Sequence, residues 1–152
     1  MQARDIMITN VFTVKATDNL KDLLEIMVKN RIGGLPVVDD QGNLVGMVSD
    51  GDVLRFLAPK PFQIIDLYNA MYLEAETIED VLQHNLDTPV KKIMTKHFIL
   101  KVSPDEEFEK TIRLLSQHHY KKLPVVNEAG RVIGVISRGD LIYNISQKMI
   151  SL

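Results

Sequence analysis

Apolar positions along the chain change period several times, and each change marks an element. Leu20, Leu23, Leu24, Met27 and Val28 recur at i, i+3, i+4, i+7 and i+8, which is one face of a helix. A short β-branched run over 35–38 follows. Then come the polar turn Asp39-Asp40-Gln41-Gly42-Asn43 and a second apolar run over 44–48. Two such runs around a glycine-bearing turn predict a β-hairpin, and a short helix over 53–57 closes the series. The same succession returns later. Phe108, Ile112 and Leu115 hold a helix face. Ser103-Pro104-Asp105-Glu106 ahead of them has the make-up of a helix start, with a capping serine, proline at the first helical position and glutamate three residues on. Two runs, over 123–126 and 132–136, flank Asn127-Glu128-Ala129-Gly130-Arg131, and a helix over about 141–147 ends the pattern.

The chain therefore repeats itself. Displaced by 88 positions, Leu35-Pro36-Val37-Val38 falls on Leu123-Pro124-Val125-Val126, Gly42 on Gly130 and Gly46 on Gly134. Ser49, Gly51 and Asp52 fall on Ser137, Gly139 and Asp140. Further upstream Ile6-Met7 matches Ile93-Met94 at a displacement of 87, so the second copy carries one extra residue between Met94 and Val102. Each unit is ordered strand, helix, strand, strand, helix. A unit of about 55 residues is marginal for a core of its own. Two units packed sheet to sheet share one. The predicted fold is α/β (α+β): two β-α-β-β-α repeats, 1–57 and 92–152, intertwined as one pseudo-twofold module with an insert over 58–91.

Pro59 and Pro61 open that insert by breaking the preceding helix. Phe62, Ile65, Tyr68, Asn69 and Tyr72 predict a helix with an aromatic face. A second helix is expected over 75–86, acidic outside through Glu76, Glu79 and Asp80, with Pro89 beyond its end. The insert is either a packed helical connector or a lid or docking surface.

Composition narrows the function. Among 152 residues, 18 Lys and Arg face 20 Asp and Glu, a net charge of −2, which argues against a dedicated nucleic-acid binder. Hydrophobic residues at 45% and charged residues at 25% fit a soluble globular domain. No apolar run approaches the roughly 18 residues of a membrane span, and Met1-Gln2-Ala3-Arg4-Asp5 has no signal-peptide core behind it. With no cysteine, disulfides, thiolate metal sites and cysteine nucleophiles are excluded. The expected address is the cytoplasm. No phosphate loop, nucleophile elbow or acid–base pair is singled out by spacing, so no enzyme is expected.

Ile-Met near the start, Leu-Pro-Val-Val, and Gly-x-x-Ser-x-x-Asp, in order and twice, resemble the cystathionine-β-synthase (CBS) domain, which occurs as tandem pairs called Bateman modules. The resemblance covers about 3–57 and 90–146. It implies a regulatory module that binds adenine nucleotides (AMP, ADP or ATP) or S-adenosylmethionine, often as a homodimer acting on an enzyme, channel or transporter, and in some members serving energy sensing. It also implies site residues. Asp52 and Asp140 would accept the ribose hydroxyls, as an ionised carboxylate can. Ser49 and Ser137 would contact ribose or phosphate near a helix N-terminus. Adenine would lie against Val48 and Ile136. Lys121 and Lys122 match the family's phosphate-holding pair, whereas their counterparts Gly33 and Gly34 do not. Arg138 would add a phosphate contact, while its counterpart Asp50 would repel one. The Asp140 site is therefore expected to hold phosphate better, unless the lysines serve a ligand whose ribose sits on the other copy's aspartate.

Plainer roles stand beside these. Ser-x-x-Asp ahead of a helix is also a capping arrangement, and Lys121 and Lys122 also suit a solvated helix end. Adjacent His118 and His119 make a poor metal pair, and His84 and His97 are isolated. No metal site is expected. The competing function is a ligand-free scaffold for protein interaction or oligomerisation.

Overall fold

The computed structural model describes residues 1–59, 64–66, 71–72, 77–117 and 121–150. Its elements run α1 (Ala3–Ile6), β1 (Val14–Lys15), α2 (Leu20–Asn30), β2 (Gly34–Val38), β3 (Leu44–Ser49), α3 (Asp50–Leu57), β4 (Ile64–Asp66), β5 (Met71–Tyr72), α4 (Ile78–Asn85), a 3-10 turn (Val90–Lys92), α5 (Phe108–Leu115), β6 (Lys122–Val126), β7 (Val132–Ser137) and α6 (Arg138–Ile150).

Each repeat is built on an antiparallel hairpin. β2 pairs with β3 in the register Leu35 to Val48 and Val37 to Gly46, and β6 with β7 in the register Leu123 to Ile136 and Val125 to Gly134. Gly42 and Gly130 hold φ near +83° and +88° at the two turns, a conformation glycine adopts without steric cost. The turns meet each other. Leu44 N–H donates to the Gly130 carbonyl and Val132 N–H to the Gly42 carbonyl, both at 3.1 Å. The first strand differs between copies. β1 runs parallel to β2, whereas the second copy has only a single parallel bridge from Val102 to Val125.

The two repeats exchange their leading segments. α1 packs on the second core, where Ala3 and Ile6 join Val102, Phe108, Leu123 and Ile136. Val90 and Ile93 join the first core, with Val14, Leu20, Leu35 and Val48. Backbone bonds fasten each exchange. Ala3 N–H donates to the Glu106 carbonyl (2.9 Å) and Arg4 N–H to the Pro104 carbonyl (3.0 Å), while Val90 N–H donates to Asp18 (2.7 Å) and Lys91 N–H to Ala16 (3.0 Å). Ile8 exchanges both backbone bonds with Val135, and Thr95 with Met47. The repeated Ile-Met and glycine positions thereby acquire a physical reason. A Cβ on Gly46 would sit 2.6 Å from Met94 Sδ, and one on Gly134 would sit 2.8 Å from Met7 Cγ. The methionine of each leading segment fills the space that glycine leaves on the other copy's hairpin.

Several expectations need correction. Ser103 does not start a helix. The 103–106 stretch is a turn closed by Glu106 N–H to the Ser103 carbonyl (3.1 Å), and α5 begins at Phe108. The carbonyls of Pro104 and Glu106 are needed to anchor α1, which a helix would forbid. Where the aromatic helix is expected across 62–72, the described residues are extended. Ile64–Asp66 and Met71–Tyr72 pair as antiparallel strands, in keeping with the adjacent β-branched Ile64 and Ile65. Phe62, Tyr68 and Asn69 lie outside the described residues, as do Glu76, His118 and His119. The second insert helix does form, as α4. Val28 is 76% exposed and does not complete the buried face of α2; Ile26 packs against the core with Leu24 and Met27 instead. α1 and the 3-10 turn were not legible from periodicity, because each spans barely one turn.

Candidate functional site

Both closing helices start on the predicted serine and aspartate, and both form reciprocal caps. Ser49 Oγ accepts from Asp52 N–H at 3.3 Å, while Asp52 Oδ2 accepts from Ser49 N–H at 2.9 Å. In the second copy Ser137 Oγ accepts from Asp140 N–H at 3.1 Å, and Asp140 Oδ2 from Ser137 N–H at 2.7 Å. The capping role is therefore realised twice. It uses one oxygen of each carboxylate and leaves the other for further work.

The second oxygens differ. Asp52 Oδ1 accepts from Arg55 Nη2 at 2.8 Å and from Thr95 Oγ1 at 3.3 Å. Arg55 corresponds to Tyr143 in the second copy, so Asp140 has no cation one turn along its own helix.

A cleft of about 700 Å³ opens around the Asp52 end of the module. Its floor is Gly33, Gly34 and the end of β3 with Met47, Val48 and Ser49. Asp50, Gly51, Asp52 and Arg55 from α3 form one wall. Thr95, His97, Phe98, Ile99 and Leu100 form another, and Lys121 and Lys122 of the second copy close the third. The 95–100 wall was missed from sequence. Its signal was the extra residue between Met94 and Val102, which falls in this loop. Phe98 there adopts φ 55° and is 94% exposed, presenting an unpacked ring beside the cleft.

The predicted residues divide accordingly. Val48, Ser49, Asp52, Lys121 and Lys122 come together in this cleft, and Ile136, Ser137, Arg138 and Asp140 do not line it. The lysines thus line the cleft that holds the other copy's Asp52, and Lys122 is attracted to its own copy's Asp140 as well. Val48 and Ile136 are fully buried in their cores, and Val48 also contributes to the cleft floor. Arg138 donates Nε to the Leu115 carbonyl (3.0 Å) and Nη2 to the Gln117 carbonyl (2.7 Å), closing the end of α5. Lys122 Nζ donates to the Gly34 carbonyl at 3.0 Å. Burial pushes its ammonium below the ordinary lysine range, opposed by attraction to Asp140 and Asp50. Lys121 Nζ lies 3.9 Å from Asp50 Oδ1 across the junction of the repeats.

A cleft joining a capped carboxylate and two lysines from the neighbouring repeat is what two copies of one unit build together. The family model of the CBS domain matches residues 3–59 and 90–147. The chain belongs to the CBS domain family. As a CBS pair it is 32% identical to the uncharacterized protein MJ1426 of Methanocaldococcus jannaschii, over 93% of this chain and 89% of that one. It is 28% identical to the chloroplastic CBS domain-containing protein CBSX2 of Arabidopsis thaliana, over 88% of this chain but 58% of that protein. The CBSX2 crystal structure superposes with a TM-score of 0.79 at 29% identity, covering 98% of this chain and 96% of that one. CBSX2 in complex with AMP superposes with a TM-score of 0.74 at 29% identity, covering 97% and 98%. The inosine-5'-monophosphate dehydrogenase of Aquifex aeolicus is similar over only 23% of its length, at 27% identity. Among the described residues no helix is long and apolar enough to cross a membrane, and no group of His, Asp and Glu is arranged to hold a metal ion.

Proposed function

We propose that this CBS pair is a regulatory module that senses an adenine nucleotide of the AMP, ADP or ATP class in the cleft between its repeats. The observation that carries the reading is the cleft's mixed parentage, with Ser49 and Asp52 from one repeat and Lys121 and Lys122 from the other. Asp52 Oδ1 takes the ribose hydroxyls by exchanging Arg55 and Thr95 for them. The lysines receive phosphate near the N-terminus of α3, where free N–H groups favour an anion. Adenine lies toward the 95–100 wall. Asp140, with Ser137, Ile136 and Arg138, marks a second site of the same ancestry. The AMP complex of CBSX2 supports the ligand class.

Signalling follows from the same geometry. A ligand held by both repeats stabilises one relative orientation, and a partner enzyme or transporter responds to that surface. Only a difference in affinity between two states can transmit such a signal. A homodimer is part of the reading. Exposed Leu54 on α3 and its counterpart Ile142 on α6, with Tyr143 beside it, leave apolar surface on both closing helices.

Titration calorimetry with AMP, ADP, ATP and S-adenosylmethionine tests this on the native chain, Asp52→Ala and Asp140→Ala. Binding that is lost chiefly in Asp52→Ala is expected. If well-folded, nucleotide-free protein gives no heat with any of them, the capped helices serve a ligand-free scaffold instead.

A further inference from the structure

The cleft's cations are largely committed before any ligand arrives. Arg55 is bonded to Asp52 at 2.8 Å and Lys122 to the Gly34 carbonyl at 3.0 Å. Lys121 faces Asp50 at 3.9 Å. Among the lining residues, Arg55, Lys121 and Lys122 oppose Asp50 and Asp52, so one positive charge is left over, His97 not counted.

Asp50 has no bonding role in the cap. Among the described residues its Oδ1 accepts a hydrogen bond from the neighbouring Gly51 N–H at 2.7 Å and faces Lys121. Its Oδ2 lies 3.0 Å from where a Cβ on Gly33 would stand. Glycine at 33 therefore clears the space into which this carboxylate folds, beside the N–H groups that would receive phosphate. The second repeat does the opposite at both positions. Lys121 replaces Gly33, and Arg138 replaces Asp50 and turns away to the carbonyls of Leu115 and Gln117.

Resting on the nucleotide reading above, we infer that Asp50 is a specificity-determining residue that limits the negative charge the cleft accepts. The cleft then takes a singly phosphorylated adenosine ligand ahead of its di- and triphosphate forms. One phosphate is matched by the lysines and the helix N-terminus. Further phosphates must extend past the Asp50 carboxylate, which repels them and holds Lys121 by its own charge.

The test is a comparison of AMP and ATP affinities in buffer with a chelator, because a divalent cation would mask the phosphate charge. Native protein, Asp50→Asn and Asp50→Ser are titrated beside Asp40→Asn, a charge-matched change at an exposed residue outside the cleft. The expected result is AMP tighter than ATP in the native chain. The preference should shrink by about three- to tenfold in both Asp50 variants and stay in Asp40→Asn. AMP binding with an unchanged AMP-to-ATP ratio in both Asp50 variants overturns the inference and leaves the nucleotide reading standing. An equal shift in Asp40→Asn, or ATP tighter than AMP in the native chain, also overturns it. Absence of any adenine ligand overturns both.

Discussion

Asp52 and Asp140 occupy the same place in the same fold, yet their surroundings have diverged. Each closes a reciprocal cap with the serine three residues before it. Around Asp52 the free oxygen is held by Arg55 and Thr95, the neighbouring backbone is Gly33-Gly34, and an acid stands at position 50. Around Asp140 the corresponding residues are Tyr143, Lys121-Lys122 and Arg138. The difference teaches that the cap belongs to the fold, which needs it twice. The positions around the cap are free to diverge, and the proposed ligand chemistry rests on them. The cleft itself draws on both repeats, with Lys121 and Lys122 of one lining it beside Asp52 of the other.

The largest expected effect breaks the symmetry directly. Asp52→Ala should weaken AMP binding by about 30- to 100-fold, the worth of hydrogen bonds to a charged acceptor. Asp140→Ala should cost less, and calorimetry on both variants ranks the sites. A stability pair comes next, and here the copies should agree. Gly46→Ala and Gly134→Ala each push a Cβ into the methionine of the crossing segment. Each should lose about 1–3 kcal/mol in denaturant unfolding, the usual cost of overpacking. Unequal losses would mean that the two exchanges differ in firmness. Ser49→Ala and Ser137→Ala should each cost about 1 kcal/mol by loss of a cap, read from the same unfolding curves.

The smallest effect is in pH. Burial holds the Lys122 pKa below its ordinary 10.5. Between the lowered and the ordinary value the unfolded chain binds that proton more tightly, so stability of the free protein rises with pH there. Binding runs the other way. A phosphate beside Lys122 favours its charged form, so AMP affinity should fall as pH rises toward and through the lysine's lowered pKa. The decline should begin at lower pH than an exposed lysine would give. Titrations at stepped alkaline pH should show a flatter profile in Lys122→Gln.

Local structure was legible wherever a short-range rule governed it. The hairpins follow from β-branched runs around Gly42 and Gly130, and the starts of α3 and α6 from Ser-x-x-Asp. The same kind of rule failed at 103–106, 64–66 and 71–72. A serine-proline start yielded there to backbone bonds with α1, and an aromatic spacing yielded to the paired strands Ile64–Asp66 and Met71–Tyr72. Candidate site residues were legible as repeated positions, but the 95–100 wall was not, since its partners lie far away in the chain.

The sequence by itself determined two homologous units, their hairpins and their capped helices, because periods, turns and caps act within a few residues. It also supplied both chemistries, two carboxylates at repeated positions and a lysine pair in one copy alone. Only the tertiary structure decided that the lysine pair lines the same cleft as Asp52. That choice follows from packing across the junction. Met7 and Met94 fill the other copy's glycine gaps, backbone bonds tie each leading segment across, and the cleft forms where those crossings bring unlike ends of the two units together.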